Sequence, residues 1–283
     1  MTQAWIPSER ELDRRDVRRR QRLFSVLVAT VTTLTVFGLV GAVVLSSPGW
    51  PTVQKTFFDW HHAKESFPSV RDGFWINVKL FLICEPIILV LALAVALARS
   101  ARSAWLVPVR LVAAFYTDVF RGIPTILLVV LLAFGMPALG LQGVPNSALF
   151  WAGVALVLSY GAYVAEVFRS GIDSIHPSQV ASAEALALSR SQTLRFVVVP
   201  QAVRRVLPPL LNDFVSLQKD TALVAAAGIF DAVFAARDYG NYNFNYTPLV
   251  VVACFFIVMT VPLARFTDWL QRRYAERERA GAR

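Results

Sequence analysis

The chain has 283 residues, of which 56% are hydrophobic and 17% charged, with a net charge of +9 and a mean hydropathy of +0.53. This composition excludes an ordinary soluble domain and fits a membrane protein. The basic excess does not point to nucleic acid: seven arginines fall in the first 22 residues, five in the last 12, and most others flank apolar runs, as the positive-inside rule expects.

Residues 1–22 are highly charged and expected on the cytoplasmic side. Leu23–Leu45 follows as a first apolar run, long enough for a bilayer core, which needs about 20 such residues. A cleaved signal peptide competes with this reading, but its apolar region spans only about 7–15 residues before a small-residue cleavage site. The run here is longer and Val43–Trp50 offers a poor site, so an uncleaved span is expected. Ser46–Gly73 reads as a polar loop, in which His61 and His62 are either a metal site or, more simply, a solvated pair. Phe74–Ala98 is a second span, closed by Arg99 and Arg102. Trp105–Phe120 is apolar but interrupted by Pro108 and Arg110, and Arg121-Gly122-Ile123-Pro124 leads into Thr125–Leu141. Proline lacks an N–H and disfavours helix at the residue before it, so this third span is expected to be kinked or broken. Ala148–Phe168, Pro208–Phe230 and Pro248–Leu270 are the fourth, fifth and sixth spans; Asp231–Thr247 is a loop rich in Asn and Tyr, and Gln271–Arg283 a charged tail. Cys84 and Cys254 both fall inside spans, which argues against a disulfide and against metal-ligand spacing.

Six spans place both termini on one side, together with roughly twenty of the 28 Lys and Arg residues. The opposite loops hold only Lys55, Lys64, Arg71 and Arg237, offset by Asp59, Glu65, Asp72, Asp231 and Asp238. The termini are therefore expected in the cytoplasm, and with them the long polar segment Ser170–Leu207 between the fourth and fifth spans. No repeated half of the kind many secondary transporters carry is visible, and six helices alone enclose a solute path poorly, so dimerisation of the membrane part is expected.

The Ser170–Leu207 segment carries its own helix punctuation. Pro177 and Ser178 precede the alanine-rich run Gln179–Leu188, with Ser178 as the expected N-cap; alanine favours helix and leaves it slim enough to approach another surface closely. Ser189-Arg190-Ser191-Gln192 matches a capping box, opening a second helix expected to reach Val199 and stop at Pro200. Composition leaves two readings open: a docking surface for a soluble partner, or an amphipathic hairpin on lipid headgroups.

The stretch from Ser178 to Phe214, SQVASAEALALSRSQTLRFVVVPQAVRRVLPPLLNDF, resembles the EAA loop of permease subunits of ATP-binding-cassette importers, and most the branch that imports polar amino acids. Phe120-Arg121-Gly122-Ile123-Pro124 resembles that branch's F-R-G-T/I-P motif. Gly161–Gly171 is similar to its A-Y-x-A-E-x-x-R-G-G stretch, and Leu217–Leu223 to its L-x-K-D-T-S-L. The resemblance runs from about Gly73 to Arg273, with four motifs in register. The departures are local. Where the family pattern reads G-Q-x-E-A-A-x-x-L-G, the chain has Ala181 at the Glu, Ser182 at the first Ala and Ala187 at the last Gly, while Ala183 and Leu186 match; Ala222 stands where Ser is usual.

The resemblance implies an all-α membrane protein of about six transmembrane helices: a five-span importer core at 73–273 with a coupling loop at 170–207, an extra first span at 23–45, a basic cytoplasmic N-terminus at 1–22 and a tail at 274–283. It implies two cytoplasmic ATPase subunits, a second permease subunit of the same or a related chain, an extracytoplasmic solute-binding protein and a polar amino acid as solute, in a bacterial plasma membrane. The chain has no G-x-x-x-x-G-K-[ST] loop, so ATP and Mg are expected on the partner ATPase and no cofactor in this chain. Coupling to the ATPase falls on Gln179, Ser182, Ala183, Glu184, Leu186, Ala187 and Pro200, with Glu184 a substitute for the acidic residue missing at Ala181.

Charges inside a bilayer cost about 2.5–3.5 kcal/mol at the centre, so each needs a reason. Lys79, near an outer end, can snorkel. Glu85, beside Pro86, either lines the path or pairs with a basic group. Glu166 and Arg169 stand at i, i+3 and can pair. Lys219 and Asp220, followed by Thr221, are expected halfway along the fifth span; adjacent helical residues point about 100° apart, so each needs a partner elsewhere. Glu85, Glu166, Lys219, Asp220 and Thr221 are the candidates for solute path or gate. A secondary transporter or channel using Glu85, Lys219 or Asp220 for ion coupling, and a membrane anchor recruiting an enzyme, are the competing functions.

Overall fold

The computed structural model describes residues 8–100 and 103–281; Arg102, expected to close the second span, lies outside them, as do residues 1–7 and 282–283. Among the described residues the regular structure is entirely helical. The chain forms two compact units, Met1–Lys55 and Thr56–Arg283.

In the first unit, α1 (Glu9–Leu45) runs for 37 residues, so the basic stretch and the apolar run share one helix. It ends at Ser46, whose hydroxyl and amide both return to the Ala42 carbonyl. α2 (Trp50–Phe57) carries the boundary between the units.

The second unit departs from the expected loop at Ser46–Gly73. α3 (Trp60–Ser100) is a 41-residue helix that starts well before Phe74. Asp59 caps it, its Oδ1 accepting from the His61 amide at 2.8 Å and the His62 amide at 3.4 Å. Pro68 lies inside the helix on its exposed side, where it forfeits one backbone bond without blocking the core. The expected break is present and sharper than a kink: α4 (Val107–Gly122) and α5 (Thr125–Ala138) meet at 102° across Ile123-Pro124. Pro108 breaks nothing, because it occupies the first turn of α4, where its missing N–H costs nothing. α6 (Ala148–Asp173) is opened by Ser147, whose hydroxyl accepts from the Phe150 amide.

α7 (Pro177–Ala185), α8 (Arg190–Thr193) and α9 (Val199–Asp220) follow, with a π-wound turn, Leu194–Val198, between the last two. α9 gives way at Thr221–Ala227 to a 3-10 turn, ended by left-handed Gly228. The expected loop Asp231–Thr247 contains α10 (Ala232–Asn243), capped by Asp231, and α11 (Thr247–Gly281) completes the chain.

Among the described residues, four helical stretches are long and apolar enough to cross a bilayer: Glu9–Leu45, Trp50–Ser100, Ala148–Asp173 and Thr247–Tyr274; the bent α4–α5 pair makes a fifth if it acts as one span. The expected span at Pro208–Phe230 is not a single apolar helix. α9 stops at Asp220, so Lys219 and Asp220 sit where the winding changes from α to 3-10.

α6 is the centre of the second unit. Its Ala152, Gly153, Ala155, Ser159, Gly161, Ala162 and Ala165 are all buried, and such small side chains let neighbouring helices approach closely. Leu80, Cys84 and Ile88 of α3, Leu128 and Val129 of α5, Leu217 of α9 and Val224 pack into one core with Leu156 of α6.

Candidate functional site

The helix–corner–helix module between α6 and α9 has the expected architecture with different punctuation. α7 is capped by His176, whose Nδ1 accepts from the Ser178 amide at 3.2 Å, and not by Ser178. Its C-terminus closes in a Schellman motif: the Ala187 amide donates to the Glu184 carbonyl at 2.9 Å and the Leu188 amide to the Ala183 carbonyl at 3.1 Å. Ala187 is left-handed, with φ of 58°. That conformation explains why a glycine at this position suits the motif, since a Cβ there is strained. The capping box forms as read, the Ser189 amide donating to Gln192 Oε1 at 2.8 Å and the Gln192 amide to Ser189 Oγ at 3.4 Å.

Pro200 does not stop the second helix. It lies in the first turn of α9, after the π-wound turn, where its missing donor is tolerated, and so the module runs directly into α9. Gln179, Ser182, Glu184, Leu186, Ala187 and Pro200 are exposed, Leu186 at 78%. Ala183 is 3% exposed and faces inward, so it seats the helix rather than offering a contact.

The base of the module is closed. At Gly171, in the last turn of α6, a Cβ would overlap Val206 Cγ1 and crowd the Ala202 carbonyl of α9. The Arg205 guanidinium donates to the Ser174 carbonyl. The chain thus leaves α6 and returns on α9 at one crossing.

Beside it lies an ion cluster. Glu166 of α6 is bonded by Arg169 on its own helix and by Arg99 of α3, and Arg121 at the end of α4 approaches to 3.7 Å. Arg99 also donates to Thr117 of α4 at 2.8 Å, and Arg169 to Asp173 at 2.8 Å. Arg121 stacks over the Tyr163 ring at 5.8 Å, and the Tyr163 hydroxyl donates to the Arg121 carbonyl. The expected Glu166–Arg169 pair is real, but Glu166 is a hub for three helices. Arg99, read only as a flank, belongs to it.

A second polar group lies where α9 breaks. The Tyr160 hydroxyl of α6 donates to Asp220 Oδ2 at 2.7 Å. Buried Gln218 accepts from Thr260 of α11 at 2.5 Å, and buried Thr221 donates back to the Gln218 carbonyl at 2.8 Å. Glu85 of α3 and Asp213 of α9 lie within electrostatic reach of each other and of Tyr160, and one Asp213 oxygen is buried without a partner among the described residues. Lys219 points elsewhere and is exposed. Glu85, Asp220 and Thr221 are therefore brought to one region, while Glu166 belongs to the ion cluster and Lys219 to neither. Asp213 and Tyr160 were missed; the signal for Asp213 was its place two turns before Asp220 on the same face of one helix, and Tyr160, on a different helix, gave none.

At the other end of α3, the candidate histidine pair is held by hydrogen bonds. His62 Nδ1 lies 2.8 Å from the Tyr239 hydroxyl, which donates to Glu65 at 2.6 Å. His61 lies 3.6 Å from Glu65. Among the described residues no group of His, Cys, Asp and Glu is placed to hold a metal.

Residues 88–276 match the family described as binding-protein-dependent transport system inner membrane component. The chain is 31% identical over 209 residues to the arginine transport system permease protein ArtQ of Bacillus subtilis (strain 168), covering 73% of this chain and 92% of that one. It is similar to a crystal structure of an amino acid ABC transporter with histidines, at 28% identity and a TM-score of 0.68, covering 76% of this chain and 98% of that one. An inward-facing structure of the MetNI methionine ABC transporter shares the fold, at 18% identity and a TM-score of 0.60, over 72% of this chain and 95% of that one.

Proposed function

Because the chain belongs to the family of binding-protein-dependent transport system inner membrane components, we propose that it is the permease subunit of an ATP-driven importer of polar amino acids. It is a multi-pass membrane protein that provides the solute path, in the bacterial plasma membrane with both termini cytoplasmic. The arginine-rich ends support that orientation. Two ATPase subunits bind ATP and Mg, a second permease subunit completes the path, and an extracytoplasmic binding protein delivers the solute.

One observation carries the coupling. α9 runs from the module at Val199 to Asp220 as one helix, and its far end is hydrogen-bonded to Tyr160 of α6. The exposed face of α7, with Gln179, Ser182, Glu184 and Leu186, docks on the ATPase. Closure of the ATPase on ATP moves α7, and α9 carries that movement to the Tyr160–Asp220 bond. ATP thereby shifts the inward/outward equilibrium by binding one state better than the other. Glu85, Asp213 and Asp220 are carboxylates that can receive the ammonium group every amino acid carries, and the buried, unpartnered Asp213 oxygen supports that role. Lys219 is available to the second permease subunit.

The test is reconstitution. Vesicles holding the chain with its ATPase and binding protein are expected to accumulate amino acid only when ATP is supplied inside the compartment that holds the ATPase. Accumulation by the chain alone, driven by an ion gradient, would overturn the reading in favour of a secondary transporter.

A further inference from the structure

α1 is longer than a bilayer requires. The apolar part, Leu23–Leu45, suffices to span about 30 Å of hydrocarbon at 1.5 Å per residue. Glu9–Arg22 continues the same helix for about 21 Å beyond the apolar boundary. Arg10, Arg14, Arg18 and Arg22 stand at i, i+4 intervals, each offset about 40° from the last, forming one stripe along the helix. Glu9 falls on the other side, Asp13 flanks Arg10 at i+3, and Arg15, Arg19 and Arg20 spread over the rest of the circumference. Glu11, which borders the stripe, is taken by Arg15 at 3.0 Å. The four arginines are exposed and make no ion pair among the described residues. Like charges at this spacing weaken a helix, so the stripe asks for an anionic partner.

We propose that this stripe binds anionic phospholipid headgroups, Arg22 and Arg18 directly, Arg14 and Arg10 by successively smaller amounts. The placement at the cytoplasmic leaflet rests on the orientation given above. The headgroup layer is about 5–8 Å thick. Along the helix axis Arg22 lies at the apolar boundary, Arg18 about 6 Å out, Arg14 about 12 Å and Arg10 about 18 Å. The screening length is about 8 Å at physiological salt. A surface that meets one end of the stripe therefore weights its members unequally, whereas an acidic protein lying along the stripe would weight them alike.

The experiment measures binding of a fluorescent phosphatidylglycerol to the full-length chain in neutral detergent, with fluorescent phosphatidylcholine as reference. Wild type is expected to prefer phosphatidylglycerol, and to lose that preference as salt rises. R18Q/R22Q is expected to weaken binding about fivefold or more, R10Q/R14Q by less than about twofold, and R18K/R22K is expected to bind as wild type. Equal losses in the two glutamine pairs would overturn the proposal, because a headgroup layer meeting one end of the stripe cannot weight both ends alike. If R18Q/R22Q does not fold, wild-type binding that is indifferent to salt or to headgroup overturns it as well. The assay uses neither solute nor ATPase, so its failure leaves the permease reading standing.

Discussion

The Asn77 side-chain amide donates to Asp231 Oδ2 at 2.9 Å across 154 residues of sequence, and both residues are buried, at 1% and 0% exposure. Asn77 Oδ1 in return accepts from the Ala232 amide, and Asp231 Oδ1 caps α10 through the Phe234 amide at 2.8 Å. Gly73 allows this approach, since a Cβ there would overlap the Asp231 backbone. Asp231→Ala removes the cap and leaves the Asn77 amide unsatisfied. A loss of about 2–4 kcal/mol is expected, read as a lowered midpoint of thermal unfolding in detergent. An unchanged midpoint would show that the pair contributes nothing.

Ala187→Gly is expected to stabilise the module by roughly 0.5–1 kcal/mol, the relief of a strained left-handed residue less the entropy of a glycine. Hydrogen exchange at the Leu188 amide, which is bonded to the Ala183 carbonyl, should slow. Faster exchange would contradict the Schellman assignment.

The two faces of α7 separate docking from packing. Ser182→Arg, on the exposed face, is expected to leave the chain folded but to abolish stimulation of the ATPase by the binding protein. Ala183→Asp places a charge at a buried position and is expected to unseat the module itself, exposing it to limited proteolysis. Full stimulation in Ser182→Arg would remove α7 from the ATPase interface.

Glu166→Gln leaves Arg99, Arg169 and Arg121 facing one another without their shared carboxylate. A loss of about 1–3 kcal/mol is expected, smaller than for a fully buried pair because solvent reaches the cluster. A double-mutant cycle with Arg99→Gln should give a coupling of about 1 kcal/mol, and additivity would mean the contact carries no energy of its own.

Tyr160→Phe deletes the hydroxyl that Asp220 accepts from. Transport is expected to fall about tenfold, the weight of one hydrogen bond to a charged group, with assembly intact. Loss of the assembled complex, rather than of transport, would make the pair a structural one.

Hydropathy and helix punctuation made much of the molecule readable in advance. The apolar runs at Leu23–Leu45, Ala148–Phe168 and Pro248–Leu270 lie within α1, α6 and α11, because transfer free energy sums along the chain. The capping box at Ser189 and Gln192 was legible because both partners are three residues apart. What stayed hidden depends on distant chain. Asp231 read as a loop charge because its partner, Asn77, is on another helix. Pro68 disguised the start of α3, since a local rule against proline cannot know that its missing bond lies on an exposed face. Ala183 looked like a docking residue because composition does not say which side of a short helix is covered. Asp220 read as mid-span because nothing nearby announces the change from α to 3-10 winding at Thr221.

On the coupling proposed above, the close contact between Gly171 and Val206 serves as the fulcrum. From Val206 it is about 10 Å along α9 to Val199 and about 21 Å to Asp220, at 1.5 Å per residue. A tilt of α9 about this point would reverse direction between the two ends and roughly double in amplitude, so that the Val199 end need move only about half as far as the Asp220 end.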